Sequence, residues 1–412
     1  MSEWKQMPFG ECFELHRNNT CARALMGNAG SVQNIHYGDI LVKYGAVVDL
    51  GKEEVPYLTE DGEKCAPKDY LKDGDIVIAD TAEDEIAGKV VEVRGLGDRK
   101  ATAGLHTVMC RPKDGEMFEP GWLGYWMNSK GYHDQLISMM TGIKVLSLSR
   151  ANFAKTYIWV PKREEQRRIV SAFNNADRLI ANLEKRIAKR KLVKQGMMQQ
   201  LLTGKVRLPG FTGEWVEKAI GDFADVVTGA TPSTECAAYW GGDIRWMSSG
   251  ELNLKEIHDV EGRITKAGFN AASTHMVPVG CVLIGLAGQG KTRGTAAYNH
   301  VELCTNQSIA SILPNESYVS RLLYYILDSK YEMLRDISSG GGGRGGLSKE
   351  TLETVKITMP SSNEEQSAIA GILTDCDAEI ATLERKLAKY RQLKSGMMSE
   401  LLTGNVRLGE GK

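Results

Sequence analysis

Residues 164–208 read EEQRRIVSAFNNADRLIANLEKRIAKRKLVKQGMMQQLLTGKVRL, and residues 364–408 read EEQSAIAGILTDCDAEIATLERKLAKYRQLKSGMMSELLTGNVRL. An offset of 200 aligns them without a gap, and 22 of the 45 paired positions are identical. Apolar residues fall at Ile169, Phe173, Ala176, Ile180, Leu183 and Ile187 in the first copy. In the second they fall at Ile369, Leu373, Cys376, Ile380, Leu383 and Leu387. Steps of four and three residues make a heptad seam, the period of helices that pack on one another. Neither copy contains proline, and Gly204 and Gly404 stand where a helix C-cap belongs. A continuous helix over 164–202 spans about 58 Å. Its exposed seam needs a partner, and the other copy supplies one, in an antiparallel coiled coil with a globular region at each end. The competing arrangement is two separate helices, each packed on its own globular region.

The regions before these connectors repeat more faintly. Glu3-Trp4 echoes Glu214-Trp215, Gly38-Asp39-Ile40 echoes Gly242-Asp243-Ile244, and Gly74-Asp75-Ile76-Val77-Ile78 echoes Gly280-Cys281-Val282-Leu283-Ile284. The chain therefore divides into a globular region 1–155, a connector 156–208, a second globular region 209–355 and a second connector 356–412. Short β-branched runs predict strands at Asp39–Tyr44, Asp75–Ala79, Lys89–Val93, Val282–Gly285 and Ser308–Leu313. One helix in each half, Trp122–Met139 and Tyr318–Ile337, precedes the connector. The expected class is α+β with an internal pseudo-twofold repeat.

Composition excludes several functions. With 412 residues, 42% hydrophobic and 25% charged, the chain has the profile of a soluble globular protein of several domains. The longest apolar stretch, Met276–Ala287, is broken by Pro278, Gly280 and Gly285 and is too short to span a bilayer. Met1–Gly10 has no signal-peptide pattern, so a cytoplasmic protein without a membrane partner is expected. The eight cysteines include no C-x-x-C pair and the seven histidines are isolated, which leaves metal chemistry without a home.

Charge is uneven. Residues 1–155 hold 18 basic and 23 acidic side chains, 209–355 hold 12 and 17, and 356–412 hold 8 and 8, whereas 156–208 hold 13 and 4. A helix with Arg167, Arg168, Arg178, Arg186, Lys189, Arg190, Lys191 and Lys194 suits a phosphate backbone, an acidic protein, or simply solvent.

Gly285-Leu-Ala-Gly-Gln-Gly290-Lys291-Thr292 matches the phosphate-loop pattern G-x-x-x-x-G-K-[ST] after an apolar strand. A true phosphate loop runs into a helix. Here Gly294, Thr295 and Asn299 occupy that stretch, so a hairpin turn is the expected structure, like Ala79 through Gly88-Lys89 in the first half. Gly340–Gly346, with Arg344 inside it, reads as a loop able to bring a guanidinium close to phosphate or bases. No Pro-Pro pair exists for an amino-methyltransferase motif, and no nuclease carboxylate cluster is visible.

These residues resemble the specificity subunits of type I restriction-modification enzymes. The resemblance rests on several features together. They are the duplicated Glu-Glu-Gln and Leu-Leu-Thr-Gly connectors behind Pro161 and Pro360, Thr228-Gly229-x-Thr231-Pro232, and Tyr239-Trp240-x-x-Asp243-Ile244-x-Trp246. Thr305-Asn306-Gln307 and the Gly-rich loop before Leu347-Ser348 also belong to it. The sequence departs from the family at Arg245, where proline is frequent. The resemblance implies a non-catalytic subunit with two target-recognition domains, each reading half of a bipartite asymmetric site on double-stranded DNA. The helices would set the spacer and dock two modification (methyltransferase) subunits, with restriction subunits joining that core. S-adenosylmethionine, ATP and Mg would sit on those partners and no cofactor on this chain. DNA contacts are expected from loop residues Thr231, Ser233, Arg245, Ser248, Lys291, Arg293 and Arg344 in the second domain. In the first they are expected from Arg17, Asn18, Lys43, Lys89, Arg99, Lys100 and Lys144. Partner docking is expected at Met197, Met198, Leu201 and Leu202 and at Met397, Met398, Leu401 and Leu402. Two other classes compete: a coiled-coil protein scaffold without DNA readout, and a nucleotide-binding enzyme using Lys291.

Overall fold

The computed structural model describes residues 4–66, 68–288, 290–339 and 347–408. Met1–Glu184 with Lys386–Lys412 form one compact unit, and Lys185–Arg385 form the other. That division differs from the boundaries expected at 155, 208 and 355. Each head takes up the far end of the connector that does not lead out of it, so a connector is shared between units.

In the first unit, strands β1 (Phe13–His16), β2 (Val47–Asp49), β3 (Ile76–Ala79), β4 (Val90–Arg94) and β5 (Thr107–Pro112) form a sheet in the order β1-β5-β3-β4-β2. In the second unit, β6 (Val226–Thr228), β7 (Glu256–Ile257), β8 (Val282–Gly285), β9 (Ala296–Asn299) and β10 (Ile309–Ile312) repeat it as β6-β10-β8-β9-β7. Both sheets are antiparallel except for one terminal pair, β2 with β4 and β7 with β9. The central strands read as unbroken apolar runs because both faces of each sheet are covered. Alternate residues serve opposite layers. Ile76, Ile78 and Val90 join the core that holds Trp122 and Phe153, while Val77, Ala79 and Val91 join one with Ile35 and Ile40. In the second head Val282 and Ile284 face Leu322 and Leu352, and Leu283 faces Met247 and Leu252.

Two local expectations fail. Asp39–Tyr44 is not a strand: Tyr37–Val42 is a short helix, entered because the His36 imidazole accepts the Gly38 N–H at 3.1 Å. Its supposed echo at Gly242-Asp243-Ile244 lies in the strand Trp240–Met247, so that similarity is not structural. The single helices before the connectors are each two. Trp122–Trp126 is followed by Lys130–Ile137, whose N-cap is Ser129, and Ser320–Ser329 is followed by Tyr331–Ser339.

The connectors form helices Arg163–Leu201 and Asn363–Leu401, 39 residues each. Within the first unit Arg391 pairs with Glu184 at 2.6 Å, Lys394 with Asp177 and, past the end of the second helix, Arg407 with Glu165, numbers rising on one segment as they fall on the other. Within the second unit Lys191 pairs with Glu384 at 2.7 Å, Arg190 with Glu379 at 2.9 Å and Lys194 with Asp377. The pairing is antiparallel in both. The seam is also shared with the heads, since Ile169 and Phe173 sit in the first head's core and Ile369 and Leu373 in the second's.

Candidate nucleic-acid interface and helical junctions

In the second head, three motifs far apart in sequence converge. The Trp240 and Trp246 rings meet edge to face at 5.0 Å. Trp246 Nε1 donates to the Ala230 carbonyl at 2.9 Å and Trp240 Nε1 to that of Ser233 at 3.1 Å, so two indoles hold the Thr228–Ser233 loop. A Cβ on Gly229 would stand 1.8 Å from the Thr305 carbonyl oxygen, which is why the loop needs glycine there. The exposed Thr231 hydroxyl donates to Gln307 Oε1 at 2.5 Å. Gln307 is also exposed, and its carboxamide N–H groups are donors beside that accepted bond. It was quoted in the family pattern but not among the expected contacts, and its place after Thr305-Asn306 was the signal.

The other expected residues of this head have mixed roles. Ser248 caps the turn Ser249–Leu254 with Glu251, a structural duty. Arg245 shares Asp259 with Arg263, at 2.9 and 3.0 Å. Lys291 and Arg293 lie in the turn between β8 and β9. Gly285 N–H donates to the Thr295 carbonyl and Gly294 N–H to that of Gly285, which closes an antiparallel hairpin where a phosphate loop would run into a helix. The first head's turn is closed by Gly88 N–H on Ala79 and Ala79 N–H on Lys89. Gly88 therefore corresponds to Gly294 and Lys89 to Thr295, not to Lys291. Arg344 lies outside the described residues.

In the first head, Lys43 and Arg99 line a cleft of about 600 Å³ together with Arg23 and Lys52, two cations missed by the sequence reading, and with the acidic residues Glu53 and Glu54. The signal for Lys52 was its place in the Gly51-Lys52 turn. Arg23 bonds Asp39, Lys52 bonds Asp49 at 2.6 Å, and Lys43 donates to the Glu54 carbonyl. Arg17 and Lys100 are exposed, the latter over the Tyr70 ring at 5.7 Å. Asn18 is fixed by the Gly104 carbonyl at 3.2 Å and by Arg150 at 3.2 Å. Lys89 points inward: its ammonium donates to the Leu41 carbonyl at 2.9 Å, and burial lowers its pKa. Lys144 is exposed on a turn beside Ile143, which is wholly exposed.

The repeated motifs build two matching junctions. In the first, Tyr125 Oη donates to Asp177 at 2.7 Å and Lys394 bonds the same carboxylate; in the second, Tyr325 Oη donates to Asp377 at 2.8 Å and Lys194 does likewise. Gln166 accepts the Glu119 N–H and Gln366 that of Val319, both at 2.8 Å. Glu165 meets Arg407 and Glu365 meets Arg207. Gly404 lies against the Trp4 ring and Gly204 against that of Trp215, each glycine in the left-handed region that closes its helix. Leu401 and Leu402 are buried in the first head's core and Leu201 and Leu202 in the second's, with Met397, Met398, Met197 and Met198 packed half-buried beside them. This corrects the expectation of a partner-docking face. An apolar repeat on a helix end looks like a docking surface until the head it fills is seen.

Among the described residues no group of His, Cys, Asp and Glu could hold a metal ion. Burial pushes the Cys12 and Cys304 thiols up to about 11 and Cys281 up to about 12, so these thiols stay protonated near neutral pH.

Residues 212–390 match the family model for the type I restriction modification DNA specificity domain. The chain is similar to specificity subunits of type I restriction enzymes, through this domain and along the length of relatives. It is 37% identical over 172 residues to the MjaIX specificity subunit of Methanocaldococcus jannaschii, which covers 40% of this chain and 38% of that relative. With the MjaX specificity subunit of the same organism it shares 22% identity over 429 residues, 98% of this chain and 94% of the relative. In fold it is similar to the S subunit of a type I restriction-modification system from M. genitalium. That likeness has a TM-score of 0.63 at 12% identity and covers 99% of this chain and 97% of the other. No helix among the described residues is long and apolar enough to cross a membrane.

Proposed function

We propose that this chain is the non-catalytic, cytoplasmic DNA-reading subunit of a type I restriction-modification complex, each head recognising one half of a bipartite site. One observation carries the reading: the two heads share a five-stranded sheet and its strand order but differ in what decorates it, while their helical junctions repeat 22 of 45 positions and the same Tyr–Asp–Lys, Gln and Glu–Arg bonds. Divergent heads on an invariant frame suit two different half-sequences held at a fixed spacing. In the second head the reading edge is Thr231 and Gln307 on the indole-held loop; in the first it is the basic cleft with Lys43 and Arg99. Side chains of these types position a protein on phosphates and read base edges. Two methyltransferase subunits dock on surfaces other than the buried Leu-Leu repeats, and S-adenosylmethionine, ATP and Mg belong to the partner subunits. The experiment is adenine-methylation mapping in cells expressing the chain with its modification subunit, before and after residues 209–355 are exchanged for those of a relative. One half-site should change and the other persist; loss of both, or change in neither, refutes the reading.

A further inference from the structure

The row Ser171, Asn175, Arg178, Asn182, Lys185, Lys189, Val193, Gly196 and Gln200 follows helical spacing along one face of Arg163–Leu201 and contains no acidic residue over that span, Glu164 lying on the same face nearer the N-terminus. The same row on Asn363–Leu401 includes Asp375 and Glu400. Around the middle of the first helix, Arg190, Lys191 and Lys194 are neutralised by Glu379, Glu384 and Asp377. The neighbouring Glu184 is taken by Arg391. Lys185, Arg186 and Lys189 remain exposed and, among the described residues, in no ion pair. They lie within an arc of about 100° on the helix. Both globular regions carry a net negative charge, so the positive charge of this chain is concentrated on this connector.

We propose that this face of the first helix, free of acidic residues from Ser171 to Gln200, binds the phosphate backbone of the DNA between the two half-sites, with Lys185, Arg186 and Lys189 as its contacts. The inference rests on the DNA-reading function above. The second helix carries Arg385, Lys386 and Lys389 at the matching positions, but it also places Asp375 and Glu400 on its row, and 356–412 has no net charge against the excess of nine cations over 156–208, so the first helix is the better match for a polyanion. Contacts of this kind add affinity and salt dependence without sequence information.

The test uses the full chain assembled with its modification subunits, and two duplexes: one carrying the mapped methylation sequence and one scrambled. Affinity is measured as a function of salt for the wild type and for Lys185→Gln, Arg186→Gln, Lys189→Gln combined. Three phosphate contacts contribute a slope of roughly 2.7 in log affinity against log salt. The variant should therefore lose roughly 40-fold less affinity between about 50 and 200 mM salt, equally on both duplexes, with discrimination between them unchanged. A slope equal to the wild type's overturns the inference while leaving the DNA-reading function intact. If the wild type prefers neither duplex, that function fails, and the slope still reports whether the face meets phosphate. Loss of the modification subunit at unchanged slope would make this face a protein-docking surface, which also overturns it.

Discussion

In the first head Asp75 and Arg111 form a buried ion pair, Nη2 to Oδ2 at 2.6 Å, and the same guanidinium donates to the Tyr70 carbonyl at 3.0 Å. Strand registers place Cys281 and Leu313 at the matching positions of the second head, where Cys281 is buried. The heads keep a sheet and change its chemistry. The junctions keep a common set of bonds, Tyr–Asp–Lys, Gln to backbone N–H and Glu–Arg. They differ around it, where Glu119 holds Arg163 and Arg167 in the first and Arg321 joins Tyr325 in the second. A sheet closed by apolar packing accepts many fillings of similar volume. A junction that satisfies buried polar groups and aligns a helix end against a separate segment accepts few. That difference explains where the repeat is strong and where it has faded.

The strongest way to break the comparison is Leu402→Asp. It places a carboxylate in the first head's core and should cost about 4 kcal/mol or more. Backbone hydrogen exchange should then lose protection over Ile76–Ala79 and keep it over Val282–Gly285, with Leu202→Asp giving the reverse. Equal loss in both heads would mean that the junctions do not belong to one head each. Next in size, Arg111→Ala strands the buried Asp75 and should cost about 3–5 kcal/mol in denaturant unfolding. Importing the second head's solution, Asp75→Cys with Arg111→Leu, should recover most of that loss. A double variant no better than Arg111→Ala would show that the first head depends on its ion pair.

The junctions sharpen the comparison from the other side. Tyr125→Phe removes the bond to the Asp177 carboxylate and a contact with Asn174, Tyr325→Phe removes the bond to Asp377 and contacts with Thr374 and Arg321, and each should cost about 1.5–3 kcal/mol. A measurable cost at only one of the two would contradict a shared Tyr–Asp–Lys core. A smaller, one-sided effect belongs to the second head. Burial pushes the Glu256 carboxyl up, but hydrogen bonds from Arg321 and His300 outweigh it and hold the pKa below the usual range. A depressed carboxylate pKa stabilises above the unfolded value and loses that contribution as pH falls through the folded one. Acid titration should therefore weaken the second head below about pH 4.3, and Glu256→Gln should remove that limb.

Much of this was legible in sequence. The repeat at Glu164 and Glu364 gave two long helices and their antiparallel partnership, and the residues after Thr292 gave a hairpin in place of a phosphate loop. What stayed hidden was ownership. Heptad periodicity marks Leu401 and Leu402 as apolar without saying which surface they fill, because their neighbours lie hundreds of residues away. Lys89 was misread for the same reason: a lysine in a turn looks available until the Leu41 carbonyl is seen accepting its hydrogen bond. Asp39 was misread because the ring of His36 supplies a helix cap that apolar patterning does not register.

The smallest expected effect is at Lys291. Its backbone carbonyl accepts bonds from Thr295 Oγ1 at 2.5 Å and Tyr331 Oη at 3.3 Å, while its side chain is exposed. Lys291→Ala keeps the carbonyl, and with it the turn, so stability should move by less than about 0.5 kcal/mol. A phosphate loop delivers its amides from the first turn of a following helix. Here the chain returns as β9, an antiparallel partner of β8, and the first head's turn spans the same number of residues with Gly88 in the place of Gly294. Thermal unfolding with and without Mg-ATP should therefore be the same for the wild-type chain and for Lys291→Ala. A nucleotide-dependent rise in Tm that Lys291→Ala abolishes would separate the two hairpins functionally and restore the nucleotide-binding alternative.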